Sequence, residues 1–74
     1  MKKFIEMLKE NIEAFESTDI APDTNLTALE GWDSIALLSI MSIIASEYSV
    51  TLKGSSILEA ATPKAIFDLI NNSK

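Results

Sequence analysis

The chain has 74 residues with 11 carboxylates, 6 lysines and no cysteine or histidine, which restricts both its fold and its chemistry. Without cysteine there is no disulfide or zinc-thiolate cluster, so a chain this small needs a packed aliphatic core. Without histidine it lacks the usual general base at neutral pH and every Ser-His-Asp arrangement. We therefore expect one domain over residues 1–74, with no catalytic group and no metal site: a protein that is not an enzyme.

The net charge of −5 is unevenly distributed along the chain. No lysine or arginine occurs from Glu10 to Leu52, while eight carboxylates lie in this stretch: Glu10, Glu13, Glu16, Asp19, Asp23, Glu30, Asp33 and Glu47. Such a surface repels nucleic acid and anionic membranes and attracts basic protein patches. We expect protein partners, and neither nucleic-acid binding nor membrane insertion.

The first predicted element is a helix in MKKFIEMLKENIEAFES. Its apolar residues are spaced by four, four and three positions, with charged residues between them: Phe4, Leu8, Ile12 and Phe15. That is the helical period. Because the segment is amphipathic and no small-residue cleavage site follows it, we expect no secretory signal peptide and a cytoplasmic protein.

The next stretch, TDIAPDTNLTALEGW, loses this period and gathers turn-forming residues. It is predicted to be a long loop. Structureless loops of this length are uncommon in small domains. We therefore expect its apolar residues to anchor it to the bundle: Ile20, Leu26, Leu29 and Trp32. For Trp32, a covering role and a role in docking partners are both open.

A second helix is predicted from Ser34 to Tyr48, with Asp33 as its N-cap. The predicted core face carries Leu37, Ile40, Met41, Ile44 and Tyr48. The other face carries Ile35, Leu38, Ser39, Ser42 and Ser46. The uncharged run in this helix is far shorter than the roughly 20 residues that span a bilayer.

Two further helices are predicted after the connector SVTLKG. Ser56 and Glu59 form a capping-box pattern for a short third helix that follows a stop at Gly54. Thr62 is the predicted N-cap of the fourth helix, Pro63 its first residue, and its buried stripe is Ile66, Leu69 and Ile70. The predicted fold is all-α: a small four-helix bundle with three longer helices, one short third helix and a long loop between helices one and two.

Ser34 lies at the start of the most apolar predicted helix. A serine in a first helical turn is ordinary, but here Asp33 already supplies the cap and leaves the Ser34 hydroxyl free to face solvent. A phosphate ester at this point would lie in the favourable field of the helix N-terminus, worth roughly 0.3 to 1 kcal/mol.

The tripeptide Asp33-Ser34-Ile35, preceded by Gly31 and Trp32, resembles the phosphopantetheine attachment motif of the acyl carrier protein family. The helix order, the long first loop, the ATP sequence at the last helix and the acidic balance are also similar to that family. The resemblance implies that a phosphopantetheinyl transferase, using coenzyme A and magnesium, attaches 4′-phosphopantetheine to Ser34. Acyl or aminoacyl groups would then be carried as thioesters. The implied partners are this transferase and the loading and synthase enzymes, and the expected state is a monomer.

The sequence departs from the fatty-acid carriers of this family on the second helix. The positions that match their acidic face are all uncharged: Ala36, Ser39, Ala45 and Ser46. Together with Trp32, this resembles stand-alone carriers of specialised pathways, whether for fatty acids, polyketides or aminoacyl groups. The predicted partner surface is Asp33, Ile35, Leu38, Ser39 and Ser42.

Two alternative functions and the role of one group of apolar residues remain open at this point. The chain could be an unmodified helical interaction module, which would keep its function after Ser34→Ala. An enzyme with Ser34 as nucleophile would need Lys53 or Lys64 as its base, and neither is close in sequence. A last group, consisting of Met41, Ile44, Ile57 and Leu58, either lines a cavity for cargo or is plain core.

Overall fold

The computed structural model describes residues 2–73, and the regular structure among them is entirely helical. The α-helices are α1 (Lys2–Asn11), α2 (Ser34–Tyr48), α3 (Gly54–Ala60) and α4 (Pro63–Asn72), with 3-10 turns at Glu13–Phe15 and Leu26–Ala28. This confirms the predicted all-α fold, the order of the helices and both ends of α2. No helix among the described residues is long and apolar enough to cross a membrane.

The first helix is shorter than its apolar spacing predicts. It ends at Asn11, Ile12 adopts an extended conformation, and a 3-10 turn follows. The Asn11 side-chain amide donates a hydrogen bond to the Met7 carbonyl at 2.8 Å and competes there with the helical ladder. Phe15 is nevertheless fully buried, because the 3-10 turn returns it to the core three residues after Ile12.

The long loop between α1 and α2 is anchored as predicted. Leu26 is fully buried, and its N–H donates to the Ala61 carbonyl at 2.8 Å. Trp32 packs against the core and stacks on Phe15, with ring centroids 6.4 Å apart. Ile20 and Leu29 also pack against the core. The contact with Phe15 favours the covering role for Trp32.

The buried face of α2 differs from the predicted one. Its buried residues are Ala36, Ile40, Ile43 and Ile44, whereas three predicted core residues, Leu37, Met41 and Tyr48, are only partly buried. The sequence could not orient this helix, because it is apolar on most of its circumference. Packing against α1 on one side and α3 on the other sets the buried arc.

Tyr48 closes one end of the core with two other aromatic rings. The ring centroids of Phe4, Tyr48 and Phe67 lie 5.9 to 6.0 Å apart pairwise, two of the pairs in edge-on geometry. Partial burial, with a smaller contribution from the Glu47 carboxylate, raises the pKa of the Tyr48 phenol. This aromatic cluster joins α1, α2 and α4.

The predicted start of α3 is wrong. The helix begins at Gly54, not after Ser56, and its N-cap residue Lys53 makes no side-chain capping bond. The backbone of Gly54 lies against α2: a Cβ added there would be 3.4 Å from Leu37 Cδ2 and 3.7 Å from Met41 Sδ. This tertiary contact fixes the start of α3 at Gly54, whereas local capping chemistry alone would have placed it after Ser56.

The predicted start of α4 is confirmed. The Thr62 hydroxyl accepts from the Ala65 N–H at 3.2 Å, and Pro63 is the first helical residue. Ile66 and Ile70 are fully buried, and Leu69 packs partly buried beside them. The apolar stripe of α4 therefore faces the bundle core.

The candidate cavity group is divided between core and surface. Ile44 and Ile57 are fully buried in the core, Met41 is partly buried against it, and Leu58 is 45% exposed. This arrangement favours the core alternative for the buried members.

Candidate functional site

Asp33 holds the N-terminus of α2 in the predicted way. Its extended backbone precedes the helix, and its Oδ1 accepts a hydrogen bond from the Ala36 N–H at 2.9 Å. Its own carbonyl accepts from Leu37 N–H at 3.2 Å, which starts the helical ladder. One of the free donors of the first turn is thereby satisfied by a side chain other than that of Ser34.

Ser34 is the first residue of α2 and is exposed. Among residues 2–73, no group forms a hydrogen bond with its hydroxyl. The hydroxyl is therefore available to an enzyme that approaches the end of the bundle, and its reaction would break no capping interaction. The geometry agrees with the separation of roles that the sequence predicts for Asp33 and Ser34.

An open groove of about 460 Å³ lies beside Ser34, between the end of α1 and the first turns of α2. Three residues of the predicted partner surface line it: Asp33, Ile35 and Ser39. A second groove, of about 290 Å³, continues along the two helices and contains Ser42. Leu38 lines neither groove; it is 61% exposed on the outer surface of α2.

The other wall of this groove was not predicted from the sequence. Asn11, Glu13 and Ala14 line it from the end of α1 and the 3-10 turn that follows. No spacing in the sequence relates these residues to Ser34, because they come close to it only when the loop between α1 and α2 folds back on the bundle. The turn glycine before Trp32 is the one local indication.

Gly31 permits the close approach of the loop before Ser34 to the 3-10 turn at Glu13–Phe15. Its φ of +93° is the left-handed conformation that favours glycine, and a Cβ added to it would be 2.9 Å from Ala14 Cβ. Both the backbone angle and the close contact exclude a side chain. Gly31 thus fixes the 3-10 turn against the loop that leads into Ser34.

The geometry at Ser34 fits a phosphodiester-linked group. The ester oxygen would sit at a helix N-terminus, where the helix dipole favours a negative charge. The hydroxyl is exposed and free of hydrogen bonds within the described chain, so a long flexible substituent could leave towards solvent. Within residues 2–73, no group of three or more His, Cys, Asp or Glu side chains is arranged to hold a metal ion.

Comparison with known proteins agrees with this geometry. The family described as "Phosphopantetheine attachment site" matches residues 2–70. The oxytetracycline polyketide synthase acyl carrier protein of Streptomyces rimosus is 31% identical over 75 aligned positions, which cover 99% of this chain and 79% of that protein. No solved structure gave a significant match. The chain therefore belongs to the acyl carrier protein family, whose prosthetic group is covalently attached 4′-phosphopantetheine.

Proposed function

We propose that Ser34 is the attachment point of 4′-phosphopantetheine and that the protein shuttles acyl or aminoacyl groups between biosynthetic enzymes. The observation that carries this proposal is the exposed Ser34 hydroxyl at the first position of α2, next to an aspartate that already caps the helix. Attached there, the prosthetic group supplies a terminal thiol that holds the cargo as a thioester. The chain has no cysteine that could supply such a thiol itself.

The residues of this chain present the nucleophile and leave its activation to the transferase. Ser34 Oγ loses its proton to a base of the transferase and forms the new bond to phosphorus, while the nucleotide part of coenzyme A leaves. Asp33 keeps the first turn of α2 ordered, so that the hydroxyl stands at a fixed place on the bundle end. The field of the helix N-terminus favours the resulting phosphodiester charge.

The protein in this proposal is a carrier and has no catalytic residue. The three candidate groups of the enzyme alternative lie on different elements: Ser34 begins α2, Lys53 precedes α3, and Lys64 belongs to the first turn of α4. A carrier that presents its arm freely functions as a monomer. Because the modification consumes coenzyme A, the proposed location is the cytoplasm.

The partners are proposed to be a phosphopantetheinyl transferase and the loading and synthase enzymes of a specialised pathway. The relative from Streptomyces rimosus is named for a polyketide synthase, which supports a polyketide or similar acyl pathway. Ile35 and Leu38 are 70% and 61% exposed on the first turns of α2, so they offer apolar contact beside Ser34. The hydroxyls of Ser39 and Ser42 and the Asp33 carboxylate complete the proposed partner surface.

An intact-mass measurement tests the attachment site. The protein and its Ser34→Ala variant are incubated with coenzyme A, magnesium and a promiscuous phosphopantetheinyl transferase. We expect the unaltered chain to gain the mass of one phosphopantetheine group and the variant to gain none. A Ser55→Ala variant, altered at an exposed serine of α3 outside the proposed partner surface, serves as the matched control and should be modified.

A folded chain that several transferases leave unmodified would contradict the proposal. Modification of Ser34→Ala would place the attachment at another serine. In the first case the unmodified interaction module becomes the better description, and Ser34→Ala should then leave partner binding unchanged.

A further inference from the structure

The two grooves between α1 and α2 adjoin at Asn11 and run from the Ser34 end of the bundle towards the end of α2. We call them together the α1–α2 groove. Its lining includes apolar residues that are buried or partly buried: Met7, Ile12, Ala36 and Ile43. The hydroxyls of Ser39, Ser42 and Ser46 line it from the α2 side. Ile12, Ala36 and Ile43 are only 5%, 2% and 7% exposed. The apolar surface that the groove offers therefore comes mainly from Met7 and Ile35, beside a polar edge.

Charge in this groove is of one sign. Glu10 and Glu13 line it from the α1 side and Asp33 and Glu47 from α2 and its N-cap, and all four are exposed. The described residues that line the groove include no lysine or arginine. Exposed like charges along a groove raise the local concentration of a cationic partner and steer its approach.

The opposite side of α2 is different. Leu38 and Leu58 are exposed there, and α3 has one charge of each sign at its ends, Lys53 and Glu59. The outer face of α2 is uncharged from Ser34 to Ser46. A cationic partner thus meets four carboxylates along the α1–α2 groove, whereas the one carboxylate of α3, Glu59, is offset by Lys53 at its N-cap.

We propose that the α1–α2 groove docks a basic amphipathic segment of a partner protein, with its apolar side chains against Met7 and Ile35 and its lysines or arginines against the four carboxylates. This inference rests on the proposed carrier function, because it assigns a docking site for the enzymes that use the arm. The groove opens beside Ser34, so a segment bound there holds its enzyme next to the cargo. The residues of α2 from Ser34 to Ser46 carry no carboxylate, and the carboxylates that would attract a basic partner line the α1–α2 groove instead.

The test uses the full chain, modified with phosphopantetheine and unmodified, and a helical peptide of lysine and leucine as the probe. A peptide of the same pattern with glutamate in place of lysine is the control. Amide chemical shifts locate the binding site, and a titration gives the Kd. We expect the basic peptide to shift Asn11, Ser39 and Ser42, with smaller effects at Leu58, and the acidic peptide to shift none of them.

Two matched variants separate the groove from net charge. Glu10→Gln/Glu13→Gln/Glu47→Gln removes three groove carboxylates, and Glu16→Gln/Asp19→Asn/Asp23→Asn removes three exposed ones outside it. We expect the groove variant to raise the Kd of the basic peptide about tenfold and the control variant less than about threefold. Equal losses, no binding, or shifts confined to Leu38 and Leu58 would overturn the proposal.

Failure of this inference is distinguishable from failure of the proposed function. A chain that gains phosphopantetheine but shows no preference for the groove remains a carrier that docks elsewhere, and the groove proposal is then wrong. A chain that is never modified but binds the basic peptide in the groove retains the docking site and loses the carrier function.

Discussion

At the scale of single residues, the site depends on a division of tasks between two neighbours. Asp33 uses its carboxylate to satisfy the Ala36 N–H, and Ser34 keeps an exposed hydroxyl without a hydrogen bond inside the described chain. Were Ser34 the cap, its esterification would remove the capping interaction and loosen the first turn. With Asp33 as the cap, the proposed esterification of Ser34 would leave the helix start intact.

Asp33→Ala should therefore destabilise the protein by about 0.5–2 kcal/mol, because the Ala36 N–H loses its acceptor. Asp33→Asn retains an equivalent acceptor while removing the charge. We expect its free energy of unfolding to stay close to that of the unaltered chain. Urea denaturation of the two variants measures the difference, and an equal loss in both would show that charge, not capping, is what Asp33 contributes.

Among the helices of the bundle, α1 and α2 end by different local devices. A 3-10 turn at Glu13–Phe15 follows α1, while α2 ends at Tyr48 and its C-cap residue Ser49 has the left-handed values φ 55° and ψ 35°. A residue with a Cβ is strained there, and glycine is the residue that commonly takes this position. The end of α2 is thus held in place by the packing of Val50 and Leu52, both buried, in the connector that follows.

Ser49→Gly should relieve this strain and stabilise the protein by about 0.5–1 kcal/mol, after the larger loss of backbone freedom of glycine is subtracted. Ala45→Gly, at an exposed position of the same helix, is the matched control. It should destabilise by about 0.5–1 kcal/mol. Thermal or urea unfolding of both variants checks the opposite signs; a loss of stability in both would mean that Ser49 is not strained.

At the scale of the whole molecule, the loop before Ser34 is part of the bundle. Leu26 is fully buried, its N–H binds the Ala61 carbonyl between α3 and α4, and the Pro22 carbonyl accepts from the Lys64 N–H at 3.0 Å. The loop thereby joins the Ser34 end of α2 to the far side of the fold. Packing at Leu26 consequently supports the position of the site as well as overall stability.

Leu26→Ala should cost about 2–5 kcal/mol, since it leaves a cavity in the core. Leu38→Ala, at an exposed position, should change the free energy of unfolding by less than about 0.5 kcal/mol. Chemical denaturation compares them directly. A small effect of Leu26→Ala would mean that the loop is not tied to the core.

The all-α class, the order of the helices, the bounds of α2 and the caps at Asp33 and Thr62 were all predictable from the amino-acid sequence. These follow from apolar periodicity and from side chains that bond to backbone groups two or three residues away, and both are local. The motif around Ser34 lies in one short stretch, so the family was also predictable from the residues alone.

Features that depend on contacts between distant residues were set by the tertiary structure. It placed the start of α3 at Gly54, where the backbone lies against α2, although Ser56 and Glu59 have the local pattern of a cap. It turned Ala36 and Ile43 inwards, because a helix that is apolar on most sides takes its orientation from its neighbours. It also brought Ala14 against Gly31, which formed the groove beside Ser34 from segments that no sequence period connects.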